Sequence, residues 1–345
     1  MTKATALASV IAGALLAATA CGTSERAETK KETSEPVSMG KIDRKDSALD
    51  ALIPQGAQIE KLADGFTFTE GPIWIKDGGH LLFSDIPANV IRKWTPDGNV
   101  TVFLEKSGYD GTDAPAGAFI GSNGLTLDKE GRLILCEHGS GRVTRLEPDG
   151  KRTVLADKYQ GKRLNSPNDA VYKSNGDLYF TDPPYGFPKQ DEDPKKQLKF
   201  NGVYRLANGR LTLLHQDLTR PNGIAFSPDE KFLYVANSDA NRKVWTKFEV
   251  KADGTLGASS VFYDVTSETA DGLPDGMKVD QNGNLYCTGP GGIWIFSPEG
   301  KHLGSIQPEQ IPANLHWGDA DGKTLYMTAR TGLYRIKTSA TGIRP

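Results

Sequence analysis

PNDAVYKSNGDLYFTDP, residues 167–183, is the stretch that decides the fold. Asn168 stands before a short apolar run, Gly176 marks a turn eight residues later, and a second run, DLYFTDP, follows. A glycine beside Asn or Asp between two such runs is a hairpin signal, because the turn needs positive φ. The pattern recurs five more times. The copies are TEGPIWI (69–75), SNGLTLD (122–128), PNGIAFS (221–227), PDGMKVD (274–280) and ANLHWGD (313–319). Glu70, Asn123, Asn222, Asp275 and Asn314 take the place of Asn168, and Gly78, Gly131, Glu230, Gly283 and Gly322 mark the turns. A second strand follows each turn, from HLLFSDI in the first copy to TLYMTAR in the last.

Third strands such as VIRKW and GVYRL and fourth strands such as TVFLE and LTLLH complete the unit. Repeats of about 40 to 55 residues built from four short strands predict an all-β chain, a six-bladed β-propeller over residues 55–340. The last copy ends at Lys337 with too little chain for a fourth strand. AQIEKLA (57–63) alternates polar and apolar residues and is predicted to close the ring as the outer strand of blade six. Closure of this kind pairs edges that invite aggregation when left open.

Ahead of the repeats, Lys3 leads into an Ala-rich run from Ala4 to Ala20, too short for a membrane span and typical of a secretory signal. Cys21 follows Ala18-Thr19-Ala20, and the segment resembles a lipobox, with Ala18 where Leu is usual. The expectation is a signal peptide over residues 1–21, lipidation of Cys21, and an exported bacterial lipoprotein, periplasmic or membrane-anchored. That lipid would be the chain's one contact with a membrane. Residues 22–54 are rich in Ser, Thr, Glu, Lys and Asp and read as a flexible tether. With 41 basic residues against 43 acidic ones and no basic block, the chain lacks what a nucleic-acid backbone requires. Cys136 and Cys287 hold matching places in the second and fifth copies, across a six-membered ring. A disulfide needs Cα atoms within about 7 Å, so both read as small core residues.

In a propeller the first strand of each blade lines the axis, so anchors in one register meet at one mouth of the channel. Glu70, Asn168, Asn222 and Asp275 would bring carboxylate and amide oxygens together, the hard ligands of a divalent cation. Ca²⁺ is the first expectation, with Mg²⁺, Mn²⁺ or Zn²⁺ as alternatives. His80, His138, His215, His302 and His316 form no metal-spaced pair, so the thiolate and imidazole route to zinc is not indicated. A single Asn-Gly is a turn. Here a separate residue supplies the hairpin turn each time, which favours an axial oxygen cage. A metal polarises a carbonyl and a nearby carboxylate moves protons, which is enough for ester or lactone hydrolysis without a nucleophilic serine. No G-x-S-x-G elbow is present.

With FTEGPIW, LNSPNDAVY followed by DLYFTDPPYG, RPNGIAFSPDEKFLYV and LPDGMKVDQNGNLY, residues 57–337 resemble the SMP-30/gluconolactonase/LRE-like family. EGP, the EHG at 137–139 and TDPPYG look most like its bacterial gluconolactonase type. The resemblance implies a metal-dependent hydrolase that opens a small-molecule lactone such as glucono-1,5-lactone. It places the metal glutamate on Glu70, the metal asparagine on Asn222, and on Asp275 the aspartate that binds metal and gives or takes a proton. Asn168 would contact substrate or metal and Asn123 substrate; His138, at the end of the second strand of the same blade as Asn123, and Asp182 and Tyr185, presented by the rigid Pro-Pro turn of TDPPYG, read as further substrate contacts. Ser166 stands where animal members carry an arginine, and Arg163 and Arg142 are the candidates to replace it. Asn314 reads mainly as a mark of the repeat. Hydrolysis of aryl esters or organophosphates, or binding of a sugar acid without turnover, are the alternatives.

Overall fold

In a computed structural model, which describes residues 38–343, the six copies form six antiparallel sheets, each running from the axis outward in simple up-and-down order. Blade one comprises Thr69–Ile75, His80–Asp85, Val90–Trp94 and Val100–Glu105. The inner strands of blades two to six are Ser122–Leu127, Ala170–Tyr172, Pro221–Phe226, Met277–Val279 and Asn314–Gly318. Each inner strand touches that of the next blade, and the sixth touches the first. The chain is therefore the expected six-bladed propeller.

The ring closes as its sequence predicts. Ile59–Ala63 pairs with Gly332–Lys337, placing Ile59 opposite Ile336 and Glu60 opposite Arg335. The Glu60 carboxylate also accepts from the Arg335 guanidinium at 2.7 Å. The apolar core lies between blades. Ile134, Cys136, Phe180 and Tyr204 join blades two and three, and Ala225, Trp245, Cys287 and Phe296 join four and five. Both cysteines are free and buried.

The expected tether is too long at its C-terminal end. The signal segment, Cys21 and the tether as far as residue 37 lie outside the described residues. Beyond them, Gly40–Arg44 pairs with His302–Pro308 as a fifth strand on blade five, with Ile42 opposite Ile306. A turn of 3₁₀ helix, Ser47–Ala51, follows, its Asp46 cap accepting from the amide of Ala48. Leu49, Leu52 and Ile53 then enter the core beside Ile306 and Leu315. An open sheet edge recruits a strand through main-chain groups, so the segment needs no apolar periodicity to be ordered. The legible signal was the spacing of Leu49, Leu52 and Ile53, which puts all three on one side of a helical turn.

A chain shortened to begin at residue 55 should therefore be less stable than one beginning at residue 38. Each buried Leu or Ile contributes about 1.5–3 kcal/mol, so a loss of at least about 3 kcal/mol is expected in urea unfolding. Equal midpoints would show that residues 38–54 are not part of the domain.

Candidate active site

The glycines that follow the anchors are close-packing residues, and only Gly71, at φ 51°, has positive φ. A Cβ on Gly71 would lie 2.0 Å from the carbonyl oxygen of Asn123, one on Gly124 2.5 Å from that of Asn168, and one on Gly223 2.2 Å from that of Asp275. Only a residue without a side chain lets the anchor of the next blade come so near. Hydroxyls from the second strands also tie one blade to the next. Ser84 Oγ donates to the Asn123 carbonyl at 2.8 Å and Thr181 Oγ1 to that of Asn222 at 2.8 Å. In blades one, two and four the pairing register also shifts at the anchor, between Glu70 and Ile73, Ser122 and Leu125, and Pro221 and Ile224. Bulges re-aim side chains, and these turn the anchors toward the axis.

Five of the six anchors meet on the wall of a cavity of about 250 Å³. Glu70, Asn123, Asn168, Asn222 and Asp275 line it together with His138, Tyr185, Ser238 and Gln190, and Phe68, Ile86, Phe119 and Leu273 give it an apolar side. The amides form a head-to-tail chain. Asn123 Nδ2 donates to Asn168 Oδ1 at 2.8 Å, Asn168 Nδ2 to Asn222 Oδ1 at 2.5 Å, and Asn222 Nδ2 to Ser238 Oγ at 2.9 Å. The chain ends with Ser238 Oγ donating to the Pro274 carbonyl. His138 Nε2 lies 3.1 Å from Asn168 Oδ1. Burial holds the imidazole down to about 4, so His138 is neutral near pH 7.

Asn168 Oδ1 accepts from Asn123 and also lies beside His138 Nε2, whereas Asn222 Oδ1 accepts from Asn168 alone. Asn123 Oδ1 and Asp275 Oδ1 are out of contact with solvent and have no partner. Glu70 Oε2 accepts from the Gly71 amide at 2.6 Å and from Asn314 Nδ2 at 2.9 Å, so Asn314, which reads in the sequence as architecture, orients the glutamate. Burial, then the charge of Asp169, pushes the Glu70 carboxyl up to about 7. Asp275 is raised well above the usual carboxylate range, first by burial and then by the charges of Glu70 and Asp169. Two enclosed carboxyls with raised affinity for a proton, beside orphaned oxygens, form a place where positive charge is wanted.

Asp182 does not line the cavity. Its Oδ2 accepts from the Asn165 amide at 2.8 Å, so it shapes the loop before Asn168 and is not positioned to touch substrate. Arg163 and Arg142 are committed elsewhere. Arg163 donates to the carbonyls of Leu164, Asn165 and Gly139, and Arg142 pairs with Glu137 at 2.5 Å and Asp110 at 2.6 Å. Glu137 is fully buried under Arg142, Arg152 and Thr144. Trp317 is a core residue, and His316 lines a second cavity further along the inner strands. Tyr185 does face the site, its ring 6.5 Å from that of His138, with the phenol raised by burial. Sequence reasoning missed Ser238 and Asp169. Ser238 ends the second strand of blade four, on the rim that carries His138 in blade two, and a comparison of strand ends would have found it. Phe119 sits in the irregular segment between blades one and two, where no register reveals it.

Residues 68–331 match the model of the SMP-30/Gluconolactonase/LRE-like region, and the chain belongs to that family. It is 40% identical to a gluconolactonase of Zymomonas mobilis over 96% of this chain and 95% of that one. The solved structure of a gluconolactonase from Xanthomonas campestris superposes with a TM-score of 0.76 at 32% identity, covering 88% of this chain and 97% of that one. A diisopropyl-fluorophosphatase of Loligo vulgaris is 24% identical over 78% of this chain and 87% of its own length.

The glycine contacts make a direct test possible. Gly223→Ala should push the Asp275 backbone outward, lowering turnover of any substrate at least about 100-fold, the scale of a 1 Å misplacement. Circular dichroism should stay that of the parent, and undiminished turnover would show that the close approach does not set the site.

Proposed function

We propose that this lactone hydrolase opens a sugar lactone such as glucono-1,5-lactone at the axial cavity, with Glu70, Asn222 and Asp275 holding one divalent cation. The observation that carries the reading is the unpartnered Asp275 Oδ1 on the cavity wall beside Glu70. Among the described residues no three His, Cys, Asp or Glu side chains are grouped to hold a metal, so the donor set draws on the Asn222 amide oxygen. An all-oxygen set of two carboxylates and an amide suits Ca²⁺ first, then Mg²⁺ or Mn²⁺. When bound, such an ion supplies Lewis acidity to the lactone carbonyl.

The remaining work falls to the chain's own groups. The Asp275 carboxylate takes the proton of the attacking water and returns it to the ring oxygen as the ester bond breaks. Asn168, held between Asn123 and His138, fixes the orientation of the amide chain and so of the Asn222 amide. Asn123 Oδ1 and the Tyr185 phenol accept from and donate to sugar hydroxyls. Phe68, Ile86, Phe119 and Leu273 exclude water from one side and lie against the less polar face of the ring.

Purified protein supplied with Ca²⁺ should release acid from glucono-1,5-lactone, and chelation should stop it. Asp275→Asn should lower kcat by about 10²–10⁴ while an ion still binds. No turnover of this or any of a panel of lactones would sink the reading. A higher kcat/KM on a phosphotriester than on lactones would favour the chemistry named for the Loligo vulgaris relative.

We further propose that the chain is exported and held at a bacterial membrane through lipid on Cys21, which the Ala18-Thr19-Ala20-Cys21 junction supports. Expressed from its full sequence, it should fractionate with membranes, and Cys21→Ser should move it to the soluble fraction. Equal partition of the two would reject the anchor.

A further inference from the structure

The loops of blades three and four enclose a second space beside the active-site cavity. In blade three the second strand, Leu178–Asp182, and the fourth, Arg210–His215, both run toward the face where the anchors stand, so residues 183–201 and 216–220, which follow them, lie on that face. Between these loops is a groove of about 250 Å³, whose polar lining includes Asp191, Lys199, Asn201, Gln216, Asp217 and Arg220. Gln190 and Arg220 are where groove and cavity meet. Gln190 is on the cavity wall, Asp191 on that of the groove. Gln190 has φ 47°, a left-handed conformation that residues with a side chain adopt infrequently. Arg220, two residues before Asn222, spans the boundary: Nη1 pairs with Asp191, and Nη2 donates to Gln190 Oε1 in a long hydrogen bond of 3.4 Å.

Hydrogen bonds hold this boundary in place. Asp191 Oδ1 accepts from Asn201 Nδ2 at 3.1 Å, and Asn201 Nδ2 and Arg220 Nη1 both donate to the Thr219 carbonyl, at 2.7 Å and 2.8 Å. Other polar groups of the groove are uncommitted. The side chains of Lys199, Gln216 and Asp217 make no hydrogen bond or ion pair with other described residues, and Gln190 Nε2 has no partner among them. An ammonium, a carboxylate and two amides therefore offer donors and acceptors close together. An anion entering the groove would meet Asp191 and Asp217, and a cation would meet Lys199 and Arg220, so neither is favoured by charge. A neutral molecule with many hydroxyls, each both donor and acceptor, suits the lining better. That is the chemistry of a sugar.

We infer that the groove is an outer sugar subsite, and that the substrates of this chain extend to aldonolactones carrying a further sugar unit. The inference rests on the reading above, in which a sugar lactone is opened at the axial cavity. With the lactone ring in that cavity, the attached sugar crosses Gln190 and lies in the groove, where Lys199, Gln216 and Asp217 bond its hydroxyls. Binding energy gained there, away from the ester, is available to hold the ring at Asp275.

The test compares glucono-1,5-lactone with cellobiono-1,5-lactone and maltobiono-1,5-lactone, which carry a second glucose through a β or an α linkage. Acid release above the uncatalysed rate is measured for the Ca²⁺-supplied wild type and for the double variant Lys199→Ala, Asp217→Ala. Wild type should show a kcat/KM at least about tenfold higher on one of the two disaccharide lactones than on glucono-1,5-lactone, the scale of about two net hydrogen bonds. The double variant should bring that preference down to about parity. Because the readout is a ratio between substrates for one preparation, loss of folded protein does not move it. Parity in wild type for both linkages, with glucono-1,5-lactone turned over, would overturn the subsite and leave the lactone reading standing. An undiminished preference in the double variant would overturn the placing of the second sugar in this groove. Turnover of none of the three would overturn the glucono-type lactone reading and the subsite with it.

Discussion

Everything at the centre of this molecule depends on how closely six inner strands approach one another. Glycine after the anchor in four of the six blades removes the atoms that would keep neighbouring strands apart, and in three of them the next anchor's carbonyl oxygen occupies the space. Hydroxyls at the ends of the second strands also bond carbonyls of the next blade, Ser84 to Asn123, Thr181 to Asn222 and Thr288 to Ala313. The anchors are thus positioned by backbone packing, and their side chains have little freedom to be elsewhere. A site assembled this way is preorganised, because the strain of crowding polar groups is carried by the whole ring.

Crowding has an electrostatic consequence. Glu70, Asp169 and Asp275 are enclosed together, and burial raises each above the usual carboxylate range. A folded chain tolerates this because amide donors and a place for further positive charge converge on the same carboxylates. The neutral His138 and the head-to-tail asparagines fix the amide directions, and Asn123 Oδ1 is left without a partner. Structural and chemical roles therefore overlap at single residues: Asn314 ends a repeat and also orients Glu70.

The architecture was legible because it repeats. Six copies in one register disclosed the blades, the closing strand at 57–63 and the convergence of the anchors before any contact was known. What did not repeat was misread or missed. Residues 38–54 looked like a tether because strand addition at an edge uses main-chain groups that leave no pattern in side chains. Asp182 looked like a pocket residue because the Pro-Pro turn after it is rigid, yet its carboxylate faces the Asn165 amide. Asp169 was passed over because it lies next to an anchor and breaks the glycine rule, and that departure was the available signal. Arg163 and Arg142 show the limit of composition: both are close in sequence to the site, and both are spent on carbonyls and carboxylates outside it.

The fifth strand on blade five also gives the molecule a mechanical order. Any pull applied to the chain ahead of residue 38 reaches Gly40–Arg44 first, where the load falls on the ladder with His302–Pro308. Those bonds and the Leu49 turn must yield before force arrives at Ile59–Ala63, the strand that closes the ring. Under such a load blade five would give way before the strand that closes the ring, and the axial geometry would be reached last.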